Sequence, residues 1–149
     1  LIQKDLVRVR IEALLQRRDY STFELSEKLR LDGFFIPVVE KAVARAVEVG
    51  LLNDQRYADL YVRSKVSQGW GPLKISCELK QRGIEPTLLD GWPDTYLPLE
   101  NQREHAHMLA QRKRLTGKND YGKIVRFLAA KGYPLGICTD VAKQMLKDA

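Results

Sequence analysis

The residues of this chain best suited to chemistry are cations, and they come in two sets. Arg63, Lys65, Lys74, Lys80 and Arg82 form the first; Arg112, Lys113, Arg114, Lys118, Lys123, Arg126 and Lys131 form the second. Ammonium and guanidinium groups hold phosphate and carboxylate by charge and N–H donation, so the chemistry on offer is recognition of a polyanion. Carboxylates that would neutralise them are scarce nearby. Residues 54–83 hold six Lys or Arg against three Asp or Glu, residues 102–131 hold eight against two, and the stretch between, 84–101, holds none against four. A single lysine on a helix is usually a solvated charge. Two blocks with so few acids are the electrostatic footprint of nucleic acid or of an acidic protein surface. Trp70 stands in a glycine turn beside the first set. A tryptophan there serves to stack on a base, to anchor an interface, or to cover the core between two helices.

No residues are spaced for bond making. His105 and His107 are two apart, so on a helix they point to different faces and cannot form the paired-histidine clamp of a zinc protease. Cys77 and Cys138 lack metal-type spacing and read as reduced thiols, Cys138 on an apolar stripe and Cys77 toward solvent. There is no Walker-type phosphate loop and no nucleophile elbow. Gly69-Trp70-Gly71-Pro72 is glycine-rich but follows no strand; it reads as a turn between two helices. The expectation is a protein that is not an enzyme and needs no cofactor and no metal.

The cations must be held by something, and a repeat supplies it. Leu25-Ser-Glu-Lys-Leu29-Arg-Leu-Asp-Gly33-Phe34, Ile75-Ser-Cys-Glu-Leu79-Lys-Gln-Arg-Gly83-Ile84 and Ile124-Val-Arg-Phe-Leu128-Ala-Ala-Lys-Gly132-Tyr133 share one pattern at offsets of 50 and 49. Such self-similarity signals one structural unit stacked on copies of itself. Each copy spells a helix end. The glycine takes the left-handed conformation at C′, and the apolar residue after it packs on the leucine at C3. The helix starts fall in the same register, with Ser21, Gly71 and Asp120 as N-caps, Glu24 completing a capping box, and Pro72 at N1. The three central helices are thus expected over 22–32, 72–82 and 121–131.

Each central helix has neighbours. Before the first lies the stripe Val7, Ile11, Leu14 and Leu15; after it Pro37 opens a helix with Val39, Ala42, Val43, Ala46 and Val47, closed by Gly50. Before the second, Asp54 caps a helix bearing Tyr57, Ala58, Tyr61, Val62 and Val66. Before the third, a helix over about 100–115 carries Ala106, Leu109 and Ala110, and after it come Cys138, Val141, Ala142, Met145 and Leu146. Pro86, Pro93 and Pro98 limit any third helix of the middle unit to two or three turns. The fold class expected is all-α: a tandem array of three three-helix, helix-turn-helix-like repeats, 1–50, 51–98 and 99–149, elongated and curved, with eight or nine helices and no strand.

The 149 residues have an ordinary hydrophobic fraction of 44%. No apolar run approaches the roughly 20 residues that span a bilayer. Lys4, Asp5, Arg8 and Arg10 interrupt the first apolar residues, so no signal peptide is expected. A cytoplasmic monomer without membrane attachment follows. Among residues that read base edges, the central helices offer Gln81 and little else, so backbone contact with single- or double-stranded DNA, without sequence readout, is the forecast.

The second unit resembles a known family. Asn53-Asp54-Gln-Arg56-Tyr57-Ala58, then Tyr61-Val62-Arg63-Ser64-Lys65, then Gly69-Trp70-Gly71-Pro72-Leu-Lys74-Ile75, then Glu78-Leu79 and Arg82-Gly83-Ile84 are similar to the RecX family of bacterial modulators of the RecA recombinase. The resemblance is strong over about 50–85 and looser over 21–48 and 121–147. It implies tandem three-helix repeats and no catalysis. It implies binding in the groove of the RecA–single-stranded-DNA filament, with inhibition of its ATPase, strand-exchange and co-protease activities through blocked extension or promoted disassembly. Most matched residues carry structural jobs: Asp54 as a cap, Gly69, Gly71 and Gly83 as bends, Pro72 as a helix start, with Arg56 and Tyr57 inside the motif. Lys65 and Lys74 stand where the family pattern usually has arginine, which keeps charge and loses the planar fork; Trp70 replaces the commoner tyrosine. The residues expected to meet the filament or DNA are Arg63, Lys65, Trp70, Lys74, Lys80, Arg82, Arg112, Lys113, Arg114, Lys118, Lys123 and Arg126. Two other readings stand beside this one: a stand-alone, sequence-nonspecific nucleic-acid-binding helical module, and a purely protein-binding adaptor.

Overall fold

The computed structural model of the chain describes residues 2–148. The outermost residues of the first and third expected repeats, Leu1 and Ala149, lie outside the described residues. The elements are α1 (Ile2–Arg17), α2 (Thr22–Leu31), α3 (Ile36–Glu48), α4 (Asp54–Ser67), α5 (Pro72–Gln81), a 3-10 turn at Pro86–Leu88, α6 (Leu99–Gln111), α7 (Asp120–Ala130) and α8 (Leu135–Asp148). Among the described residues there is no strand, and the fold is all-α. No described helix is long and apolar enough to cross a membrane.

The repeated helix ends form as the sequence dictates. Phe34, Ile84 and Tyr133 donate their N–H groups to the carbonyls of Leu29, Leu79 and Leu128, at 3.3, 2.9 and 3.2 Å. Gly33, Gly83 and Gly132 donate three residues back, to Arg30, Lys80 and Ala129, at 3.0 Å each. These are the paired bonds of the Schellman motif, and the three glycines hold the positive φ that it needs. The middle unit lacks a third α-helix. Its prolines leave one 3-10 turn, within the limit of two or three turns, because proline supplies no donor to continue a ladder.

Three helix boundaries differ from the sequence reading. The N-cap of α7 is Asn119, in the left-handed conformation, and not Asp120, whose carboxylate instead folds back onto the amides of Thr116 and Gly117 at 3.0 and 2.8 Å. Helix α6 stops at Gln111, so Arg112 is its cap and Lys113, Arg114 and Lys118 lie in the connection to α7. Beyond Ala110 the sequence offers no buried stripe to continue it. Asn53 rather than Asp54 caps α4, its side chain accepting the Arg56 N–H at 3.0 Å. The Asp54 carboxylate accepts the Thr22 N–H at 2.8 Å and so serves the first turn of α2.

The contacts gather into two compact units, one of residues 1–59 with 79–88, the other of residues 60–78 with 89–149. In the first, Val7, Ile11 and Leu14 of α1, Leu25 and Leu29 of α2, and Val39, Val43 and Ala46 of α3 form the core. In the second, Ala106 and Ala110 of α6, Ile124 and Leu128 of α7, and Ile137, Cys138, Val141 and Ala142 of α8 do so. Each fully buried leucine or isoleucine contributes about 1.5–3 kcal/mol. Val47 and Leu146, expected in these stripes, are exposed, because each lies at the edge of its stripe. Cys77 is exposed and Cys138 buried.

Candidate polyanion-binding site

The second unit builds a site around two aromatic rings. Helix α4 ends on Gly69 at φ +89, and Trp70 donates its N–H to the Lys65 carbonyl at 3.0 Å. That turn sets the indole between Lys65, one turn back in α4, and Lys74, in the first turn of α5. The Lys65 and Lys74 ammonium nitrogens lie 4.6 and 4.0 Å from the ring centroid. Phe127 of α7 is flanked in the same way. Lys113 comes to 4.6 Å of its centroid and Lys131 to 5.8 Å. Each cation–π contact is worth about 0.5–1 kcal/mol where exposed, enough to bias a flexible lysine toward the ring but not to remove it from solution anions.

A backbone crossing joins the two rings. The N–H of Gly71 donates to the Lys131 carbonyl at 2.7 Å, and that of Leu73 to the Gly132 carbonyl at 2.9 Å. The Tyr133 hydroxyl donates to the Gly69 carbonyl at 2.8 Å. The first amides of α5 and the last carbonyls of the α7 end, which have no partner within their own helices, thus satisfy one another. Only glycine permits this approach: a Cβ on Gly71 would lie 2.4 Å from the Gly132 carbonyl carbon, and one on Gly132 would lie 2.4 Å from Lys74 Cβ. Burial without a charge partner pushes the Tyr133 hydroxyl up to about 12, so it stays a donor throughout the neutral range.

The first unit repeats that crossing. Ser21 Oγ, which accepts the Glu24 N–H at 3.1 Å in the capping box, also donates to the Arg82 carbonyl at 2.7 Å. A Cβ on Gly83 would come within 2.3 Å of Phe23 Cβ. Ser21 and Gly71 are 50 residues apart, Gly83 and Gly132 49. The C′ glycine of one repeat therefore abuts the start of the preceding repeat's central helix, twice over. Near the first crossing, Glu24 draws Arg18 to 3.6 Å and Arg82 to 3.9 Å. Tyr57 is pushed up to about 12, first by burial and then by Glu24.

The structure distributes the candidate residues unequally. Lys65 and Lys74 gather on Trp70, and Lys113 and Lys131 on Phe127, with the Gly71–Lys131 backbone bond between the two segments. Arg63 stacks at 5.3 Å on the ring of Tyr96. Lys123 reaches the Thr116 hydroxyl at 2.8 Å and helps fix the connection that also carries Arg112, Arg114 and Lys118. That connection is tied down by Asp120, whose carboxyl is held low chiefly by the Thr116 N–H. Arg126 is exposed on α7. Lys80 and Arg82 belong to the first unit, where Arg82 faces Glu24. Phe127 was not foreseen as a site residue; it follows the buried-stripe spacing of α7, and only the fold shows lysines on either side of it. Among the described residues, no group of three or more His, Cys, Asp or Glu is placed to hold a metal.

Comparison with known proteins agrees with this architecture. Residues 53–90 match the family model described as RecX, second three-helix domain. The regulatory protein RecX of Legionella pneumophila (strain Corby) is 33% identical over 137 residues, covering 89% of this chain and 89% of that protein. The regulatory protein RecX of Vibrio campbellii is 35% identical over 126 residues, covering 80% and 79%. The crystal structure of RecX from Lactobacillus salivarius superposes with a TM-score of 0.81 at 22% identity, over 99% of this chain and 98% of that one. With its repeated helix ends, its glycine crossings and these relatives, the chain belongs to the RecX family of regulatory proteins.

Proposed function

We propose that this protein regulates the RecA recombinase by binding the RecA–single-stranded-DNA filament and lowering its ATPase, strand-exchange and co-protease activities, through blocked extension or promoted disassembly. The observation that carries the reading is the pair of lysine-flanked rings held together by the Gly71–Gly132 crossing. Four ammonium groups on a rigid backbone junction present charge to phosphates or carboxylates without asking either partner to reorganise. Releasing counterions from phosphates drives such binding, so inhibition should fall steeply as salt rises. Trp70 and Phe127 serve to position these ammonium groups, which lie over their rings. Among the described residues, the central helices α2, α5 and α7 offer Gln81 and little else that reads base edges, so DNA contact is indifferent to sequence and to strandedness. The protein acts as a cytoplasmic monomer and catalyses nothing itself.

A titration of RecA ATPase on single-stranded DNA tests this. Inhibition at protein amounts well below DNA saturation is the expected result. Inhibition only at DNA-coating amounts would instead establish a stand-alone nucleic-acid-binding module, the second reading that lysines and aromatic rings at one site favour.

A further inference from the structure

The first unit carries a groove of about 690 Å³ between α1 and α3. Its origin lies in α3, which bears two apolar stripes side by side. Val39, Val43 and Ala46 fill the core, while Val38, Ala42 and Val49 follow one another at helical spacing along the groove. The small side chains of Ala42 and Ala46 leave the space between the helices unfilled, and Val7 and Ile11 of α1 complete an apolar floor. The walls are charged. Lys4 and Arg8 stand one turn apart on α1, Lys41 and Arg45 one turn apart on α3. Each row then changes sign, to Glu12 after Arg8 and to Glu48 after Arg45. The Phe35 N–H bonds to Gln3 Oε1 at 3.0 Å, so the two helices start side by side and the two rows run in the same sense. Arg8 pairs with Asp5 at 3.4 Å and Arg45 with Glu48 at 3.0 Å, but all four side chains are well exposed. Such pairs are weak and exchange readily for a partner's carboxylates.

We propose that this groove docks a short amphipathic acidic helix of a partner protein. Its apolar residues, at i, i+3 and i+7, would lie over Ala42 and Ala46, and its carboxylates would flank them to meet Lys4 and Arg8 on one side and Lys41 and Arg45 on the other. The acidic side chains belong in the two turns facing those cations, with neutral or basic ones beside Glu12 and Glu48. A nucleic-acid backbone would match the cations and gain nothing from the apolar floor, so the observations favour protein. This site is separate from the lysine-flanked rings and does not depend on the recombinase reading.

The test is fluorescence anisotropy of the full chain with a labelled synthetic peptide of about fifteen residues, leucines at i, i+3 and i+7 and glutamates on both flanks. Saturable one-to-one binding is expected. A peptide with lysine in place of each glutamate should bind at least about tenfold more weakly, as should the acidic peptide to Lys41→Glu/Arg45→Glu and, separately, to Lys4→Glu/Arg8→Glu, each with unchanged circular dichroism. The lysine peptide should gain affinity for those same variants. Equal binding of the two peptides, affinities indifferent to both variants, stoichiometric displacement by a 20-nucleotide single strand, or protection of the groove by self-association would each overturn the proposal.

Discussion

Gly71 and Gly132 meet backbone to backbone, with the Gly71 N–H 2.7 Å from the Lys131 carbonyl that precedes Gly132. The equivalent glycine of the middle repeat, Gly83, packs on Phe23. Replacing Gly132 or Gly83 with alanine meets two obstacles, a positive φ and an atom nearer than any Cβ tolerates. Each substitution should destabilise by at least about 2 kcal/mol. Gly33→Ala shares the positive φ but has nothing within 4 Å of the added methyl, and should cost about 1 kcal/mol. Urea midpoints of the three variants measure the difference.

Asp54 caps a helix distant in sequence. Asp54→Ala removes the acceptor from the Thr22 N–H and should lower stability by about 0.5–2 kcal/mol. Asp54→Asn retains an acceptor oxygen and should lose less. If the Asp54 bond to Thr22 contributed nothing, Asp54→Ala would be neutral while Asn53→Ala, which removes the α4 cap, still lowered stability; thermal unfolding of the set separates the two.

How much of this was legible in the sequence depends on the range of each interaction. The end of α2 could be read from Leu29, Gly33 and Phe34 because every bond in it spans five residues or fewer. The same holds for Ser21 and Glu24 in the capping box. Asp54 was assigned to its own helix because its proximity to Thr22, 32 residues away, is a product of the fold. Arg82 stands among cations in the sequence, yet faces Glu24 in space. Phe127 reads as core from its spacing; Lys131 sits in the helix end that the repeat places, but Lys113 comes from a connection that periodicity does not. The one-residue shift at Asn119 arises because Asp120 spends its carboxylate on the preceding turn.

Two buried tyrosines predict alkaline behaviour. Tyr57 and Tyr133 hold their protons up to about 12, while tyrosine in an unfolded chain releases it near 10. Below pH 10 both states keep the proton and stability is unaffected. Between 10 and 12 the unfolded chain alone gives it up, so stability falls with rising pH, by up to about 1.4 kcal/mol per pH unit for each residue. Tyr133→Phe should cost about 1 kcal/mol at neutral pH, from the lost bond to Gly69, and flatten the alkaline slope by about half. Denaturant titrations at pH 8, 10 and 11 read both effects.

The most direct test of the lysine-flanked rings is a charge-matched comparison of RecA ATPase inhibition on single-stranded DNA. Lys74→Glu/Lys113→Glu reverses one cation beside each ring, and Lys143→Glu/Lys147→Glu makes the same change in net charge on α8 with lysines that are not among those over either ring. The account predicts at least about tenfold weaker inhibition for the first variant, a change within about twofold for the second, and a shallower salt dependence for the first alone. Equal losses in the two variants would show that overall charge, and not this site, carries the inhibition, and would contradict the account.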